Sequence, residues 1–416
     1  MQTRALPLLI AALCLQPLLG SSETAADAFQ PKRGLNFDTW VEWLSVDQIV
    51  TRPGFLDTYP DWPRYIAPET VAAVKGQGYD FVRLPMEPGP LLRLGPGPAQ
   101  DAVIAQMRKT ADAVQATGVK VIVDLHAIPR LPELWGTETI TENPAVFDAY
   151  IALTAKVGAA LNGMDPARTA FELLNEPTND CDALATSGVQ NWPQMLIRLH
   201  SAARRTAPDL PLVLSGACWG GVNGLIALDP NMVQDDNVIW SFHSYEPFLF
   251  THQSASWVSS FEKLFAGVPY PPSLLTDQMT ADLVAGAMSR VGKPGFETDT
   301  VPTPEVLTAM INAYRASSDG GVARDAALVA AWADTHGIAR NRLLLGEFGA
   351  NRDGAGGLAI NPAHRAAFLA AKRASIEGVG IGWAVWSWTG SFGVDDGQGR
   401  RAPDPQMCDA LGLPGC

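Results

Sequence analysis

The stretch Ala170-Phe-Glu-Leu-Leu-Asn-Glu-Pro177 decides how the chain is read. It begins as an apolar strand and ends in three residues that a strand does not need. Asn175 and Glu176 are polar, and Pro177 has no N–H with which to continue a sheet ladder. In a barrel of parallel strands the carboxyl ends share one face. Polar residues bunched where an apolar strand meets its loop are what a reaction site on that face looks like. Alone, the octapeptide fits a general acid/base and a solvated strand end equally well. The rest of the chain has to decide between them.

Seven further stretches read as strands: Arg33–Asp38, Asp80–Pro85, Val119–His126, Leu210–Ser215, Asn237–His243, Leu343–Phe348 and Gly380–Trp388. The run Val119-Lys-Val-Ile-Val-Asp-Leu-His126 carries the Val, Ile and Leu that a strand covered on both faces needs. Helical patterns lie between the strands. Val103, Met107, Ala111 and Val114 mark one face of a helix over Asp101–Thr117. Asn143-Pro144 and Asn361-Pro362 pair an N-cap residue with Pro at the first helical position, which starts helices running to Leu161 and Gly378. Further helices are expected over Pro68–Lys75, Pro193–Thr206, Thr303–Ser317 and Ala323–Thr335, and Glu87–Pro98 reads as a Gly/Pro-rich loop.

Eight strands alternating with helices, and no hairpin, predict an α/β fold, a (β/α)8 TIM barrel. A doubly wound open sheet is the alternative. Against it, the first strand is not followed by a glycine-rich phosphate fingerprint. The connection from Pro247 to Arg342 is far longer than one helix and its loops require. It is expected to hold a long helical insertion between strands six and seven, at about 248–300.

Composition narrows the partners. The 416 residues carry a net charge of −13, which argues against nucleic acid and anionic membrane surfaces. A neutral polysaccharide is compatible with that charge, and twelve Trp supply flat apolar faces suited to sugars or to a core. Arg4 and the apolar run Ala5–Leu15 read as a secretory signal, too short to span a bilayer. The small-x-small site Ala26-Asp27-Ala28 sets the expected leader at 1–28, with a cut nearer Gly20 as the alternative. Residues 29–416 then form a single catalytic domain, secreted or periplasmic, soluble and monomeric. No later stretch reads as a membrane span. Four cysteines follow the leader, and Cys181–Cys218 and Cys408–Cys416 are the favoured disulfide pairs. No cysteine pair has zinc-ligand spacing, no His-x-His is present, and no metal or cofactor is expected.

Polar and aromatic residues recur at the strand ends: Arg83, His126, Asn175 with Glu176, Trp219, His243 with Tyr245, Glu347, and Trp386. Each alone has a structural explanation, but the repetition points to one shared site. Two of them, Glu176 and Glu347, are carboxylates, and a carboxylate pair is the apparatus of glycoside hydrolysis.

Asn-Glu-Pro at strand four together with Glu-Phe-Gly at strand seven resembles family 5 of the glycoside hydrolases, over nearly all of the chain from Arg33 to the eighth strand. The resemblance implies Glu176 as acid/base and Glu347 as nucleophile, with carboxyl groups roughly 5–5.5 Å apart. It implies Asn175 on the sugar 2-hydroxyl, and Arg83 and Tyr245 holding Glu347 ionised and oriented. His126 and His243 would lie around the sugar and the acid/base. Trp386 would form the subsite floor, with a candidate cis bond to Ser387. Trp40, Trp219 and Trp388 are sugar platforms or core, and Phe250–Gln253 with Trp257 line the cleft or pack the insertion. The expected activity is a retaining endo-β-glucanase, cellulase-like, on β-1,4-linked glucan. A β-mannanase, another β-glucan specificity, and a carbohydrate-binding barrel without catalysis are the alternatives.

Overall fold

The computed structural model describes residues 23–37, 68–128, 135–258, 260–358, 360–398 and 402–415; Trp40 and Cys416 lie outside them. Strands β1 (Arg33–Asn36), β2 (Phe81–Met86), β3 (Lys120–Leu125), β4 (Thr169–Glu172), β5 (Leu212–Ser215), β6 (Val238–His243), β7 (Leu343–Phe348) and β8 (Gly382–Val385) pair in sequence order. Every pairing is parallel, and β8 closes on β1. The expected (β/α)8 barrel is therefore observed.

Several strands are shorter than their apolar runs suggest. β4 ends at Glu172, so Asn175 and Glu176 stand beyond the ladder. A parallel strand buries both faces, which is why β2, β6 and β7 are buried along their whole length. Alternation sends Val82, Val121, Phe171 and Trp240 outward into the core beneath the helices. It sends Phe81, Ile122, Ala170, Val213, Ile239, Leu344 and Ala384 inward as the floor of the barrel.

Ala26 and Phe29 join that floor from the helix Ala25–Phe29. The helix starts with a capping box: Thr24 Oγ1 accepts from the Asp27 N–H at 3.2 Å, and the Asp27 carboxylate accepts from the Thr24 N–H at 3.0 Å. The Phe29 ring lies 6.4 Å from that of Phe81. A side chain on Gly34 would collide with the Phe81 ring, so β1 leaves this space to Phe81.

The helix Pro144–Leu161 is long and apolar enough to cross a membrane by length and composition, which corrects the expectation that no such stretch follows the N-terminus. It belongs to the ring around the barrel. Val146, Phe147, Tyr150, Leu153 and Val157 are buried, and the Tyr150 hydroxyl donates to the Leu173 carbonyl at 2.7 Å. The expected loop Glu87–Pro98 contains a helix, Pro88–Leu94. Its Pro residues occupy the first turn, where no intrahelical N–H is required, and Leu91 and Leu92 supply the buried face.

Between β6 and β7 the chain first makes only short turns, Phe248–Thr251, Phe261–Leu264 and Pro272–Leu274. It then forms the helices Asp277–Arg290, Pro304–Arg315 and Val322–His336. The last of these packs on the barrel, with Trp332 edge-on to Trp240 at 5.8 Å.

Candidate active site

Arg83 is the hub of the carboxyl-end face. It is fully buried, and a buried guanidinium must be matched by acceptors. Its Nε donates to Glu172 at 2.7 Å, and Nη1 donates to Asn36 at 3.0 Å and to Glu347 at 2.8 Å. Nη2 donates to Glu172 at 3.0 Å and Asn175 at 2.9 Å, and pairs with Asp124 at 2.8 Å. One cation thus serves three buried carboxyl groups. Full ionisation of all three would leave the site strongly negative in a low dielectric. Burial accordingly pushes Glu172 upward and Asp124 up to about 7, against the pull of Arg83. Arg83 itself stays charged, raised by Asp124, Glu172 and Glu347 in opposition to its burial.

Glu176 sits just past β4 with a φ of 42°, a left-handed conformation that a non-glycine residue rarely adopts. The turn that holds it is fastened to the loop after β5. Cys181 and Cys218 form the expected disulfide, with Cα atoms 4.7 Å apart. The Trp219 N–H donates to the Pro177 carbonyl at 2.9 Å, and the Cys218 N–H to that of Asn179 at 3.0 Å. Cys408 is also disulfide-bonded; its expected partner, Cys416, falls outside the described residues. The Glu176 side chain is 17% exposed at the cleft. Burial pushes its carboxyl up to about 7, with Arg83 opposing and Glu172 reinforcing.

Glu347 projects from β7 and is held through both oxygens. Oε1 accepts from Arg83, and Oε2 accepts from the Tyr245 hydroxyl at 2.8 Å. His243 stands between the two acids. Its Nδ1 shares a hydrogen bond with Glu176 Oε1 at 2.8 Å and lies 3.6 Å from Glu347 Oε2. Burial pushes this imidazole down to about 4, so it is neutral at neutral pH. β6 and β7 shift register at Phe242/His243, which sets His243 opposite Glu347.

Trp386 is partly exposed and stacks on His126 at 5.2 Å and 11°, and the Trp386–Ser387 bond is cis. His126 Nδ1 meets Asp124 at 2.7 Å, and burial pushes His126 down to about 3. Asn175 Nδ2 lies 3.4 Å from His126 Nε2. Arg83, His126, Asn175, Glu176, His243, Tyr245, Glu347 and Trp386 therefore converge as expected. Trp219 borders the Glu176 turn and is partly exposed. Trp40 lies outside the described residues. Trp388 is core: 3% exposed and edge-on to Phe37 at 5.6 Å.

Sequence reasoning missed Asn36, Asp124 and Glu172. Acids inside the runs Val-Ile-Val-Asp-Leu and Ala-Phe-Glu-Leu were the available signal, because a charge buried in a strand demands a cation. Ligand-type atoms of Glu176, His243 and Glu347 lie within 4.8 Å of one another, the only such metal-sized group among the described residues. It does not fit a resident metal. The Glu347 oxygens are already committed to Arg83 and Tyr245, and Glu176 Oε1 to His243. What the group can do is hold a proton on one carboxyl while the other faces it across a short gap.

The model of the cellulase family, glycosyl hydrolase family 5, matches residues 50–391. The chain belongs to this family. Endoglucanase 3 of Fibrobacter succinogenes is 27% identical over 224 residues, 54% of this chain and 30% of that protein. Endoglucanase C of Acetivibrio thermocellus is 24% identical over 245 residues, 58% of this chain and 65% of that one. The chain thus spans less than two thirds of the length of either relative. The crystal structure of endoglucanase Cel5A from Thermotoga maritima superposes with a TM-score of 0.64 at 18% identity, covering 93% of this chain and 99% of that one. The last likeness concerns the fold alone.

Proposed function

We propose that the chain is a retaining endo-β-glucanase that cleaves β-1,4-linked glucan by double displacement. The observation that carries this reading is the opposed pair Glu176 and Glu347, with one carboxylate oxygen of each within 4.8 Å of the other and unlike surroundings. So close an approach of the nearest oxygens favours direct attack by one carboxylate over the wider spacing, about 6.5–9.5 Å between carboxyl groups, that leaves room for a water.

Glu347, paired with Arg83 and Tyr245, attacks the anomeric carbon as a carboxylate. Glu176 holds a proton up to about pH 7 and gives it to the departing glycosidic oxygen. The products are a covalent glycosyl–Glu347 ester and a free chain end. Glu176, now ionised, takes a proton from water as that water attacks the ester. Neutral His243 steadies Glu176 and leaves it its proton. Asn175, oriented by Arg83, reaches the sugar 2-hydroxyl, and Trp386 supplies the floor.

Export through the N-terminal signal, as a soluble monomer, completes the proposal. Burial of Ala26 favours the cut nearer Gly20, since removal of residues 1–28 would take Ala26 and the Thr24–Asp27 capping box and leave Phe29 without its helix. N-terminal sequencing of exported protein checks this.

The decisive assay uses soluble β-glucans and mannans, with product sizes resolved and the first-formed anomer read by NMR. The expected outcome is β-configured oligosaccharides from glucan, lost in Glu176→Ala and Glu347→Ala. Wild-type rates in either variant, or an inverted first product, would end this reading.

A further inference from the structure

The connection between β6 and β7 carries Trp257, which is 53% exposed, the only aromatic among the exposed large hydrophobic side chains of the described residues. A single exposed apolar residue is ordinary. Two observations set this one apart.

The first is its continuity with the active centre. The Trp257 ring lies 6.0 Å from Phe392, whose ring lies 5.6 Å from Tyr245. Tyr245 in turn donates to Glu347. His252 fills the angle of this row, 5.1 Å from Tyr245 and 5.3 Å from Phe392. Burial pushes His252 down to about 3, so the row is uncharged at neutral pH. Phe392 and His252 are buried, so this uncharged row supports the exposed indole from beneath and ties it to the active centre.

The second is the stiffness of its mount. The buried Gln253 side chain donates to the Phe250 and Val268 carbonyls at 2.9 and 3.1 Å and accepts from the Val268 N–H at 2.9 Å. Asn351 donates to the Gln253 carbonyl at 3.1 Å, and the Ala355 N–H to that of Ser254 at 2.7 Å. Ser254 Oγ donates to the Phe265 carbonyl at 2.8 Å. The chain just before Trp257 is thus cross-linked and the indole rests on Phe392, a support that lowers the ordering entropy lost when a ligand settles on it. Polar groups flank the row. The Arg352 N–H bonds the Ser391 carbonyl beside Phe392, and the Arg352 side chain pairs with the exposed Asp353 at 3.1 Å.

We propose that Trp257, backed by Phe392, is a distal sugar platform. It stacks against a pyranose unit of the β-linked polysaccharide away from the bond being cleaved, and biases the chain toward long substrates. This rests on the glycosidase reading above. An indole face matches the C–H face of a pyranose, and the hydroxyls at the ring edge meet the Arg352–Asp353 side.

The test is Trp257→Ala in the full chain, with cellohexaose and an aryl cellobioside as substrates. The ratio of kcat/KM for the hexasaccharide to that for the aryl disaccharide is expected to fall on the order of tenfold, and Trp257→Tyr to recover most of it. An unchanged ratio overturns the platform, whether both rates hold or both fall together. Cellohexaose binding to Glu347→Gln, with and without Trp257→Ala, separates this from failure of the glycosidase reading. Weaker binding in the double variant supports the platform even if no glucan is hydrolysed. Equal binding overturns it even if glucan is hydrolysed.

Discussion

The two ends of this barrel are made by the same eight strands and bury opposite things. The floor is Phe81, Ile122, Ala170, Val213, Ile239, Leu344 and Ala384, sealed by Ala26 and Phe29. A few residues further along the same strands, the opposite end buries Arg83, Asp124, Glu172 and Glu347. Apolar contact at the floor stabilises without any condition on pH. The charged end holds together only because one guanidinium is shared, and its burial raises Asp124, Glu172 and Glu176 above the ordinary carboxyl range. Stability and chemistry are thus assigned to different ends, and the two should respond to mutation separately.

The largest separation is expected at Glu347. Replacing it with Ala should cut turnover on the order of 10⁴-fold or more while the melting temperature holds or rises, since a constrained carboxylate is removed. A matching fall in melting temperature would mean that Glu347 is structural.

Arg83→Met should damage both properties. It strands Asp124, Glu172 and Glu347 without their cation, at about 3–5 kcal/mol by the cost of breaking buried pairs. Denaturant unfolding measures this. A fully stable Arg83→Met protein would show that the carboxyls accept protons with no strain on the fold.

At the floor, Phe29→Ala should cost about 3–5 kcal/mol, with kcat per folded molecule unchanged. If kcat falls while the fold survives, the two ends are coupled through the barrel and the comparison fails.

The smallest effect is in pH. Glu176 and Asp124 have folded-state values raised to about 7. Their contribution to stability is fully present below the ordinary carboxyl range and is lost as pH rises through about 7. The melting temperature should therefore decline from pH 5 to pH 8, and Glu176→Gln should flatten part of that slope. In the wild type, kcat/KM should fall on its alkaline side near pH 7, where Glu176 loses the proton that the proposed mechanism has it donate. An alkaline limb well above pH 8 would remove Glu176 from the general-acid role.

Legibility in the sequence followed the range of the cause. The strands from Phe81 to Val385 could be read because two-faced burial imposes apolar runs on each strand locally. Asn143 and Asn361 announced their helices because a cap acts within three residues. The helix Pro88–Leu94 was hidden because its prolines mimic a loop until Leu91 and Leu92 find a core. Pro144–Leu161 has the composition of a membrane span, and only its neighbours identify it as a barrel helix.

The sequence by itself determined the alternation of strands and helices, the polar ends of the strands, and the pairing of Glu176 with Glu347 as candidates. These follow from periodicity and residue chemistry, which need no knowledge of distant contacts. Tertiary structure alone decided that Arg83 is shared by Asp124, Glu172 and Glu347, and that Ala25–Phe29 closes the floor. It also decided that Trp388 is core while Trp257 faces water. A buried charge is tolerable only when its partners arrive in three dimensions, and an indole becomes core or surface only when other elements cover it or leave it bare.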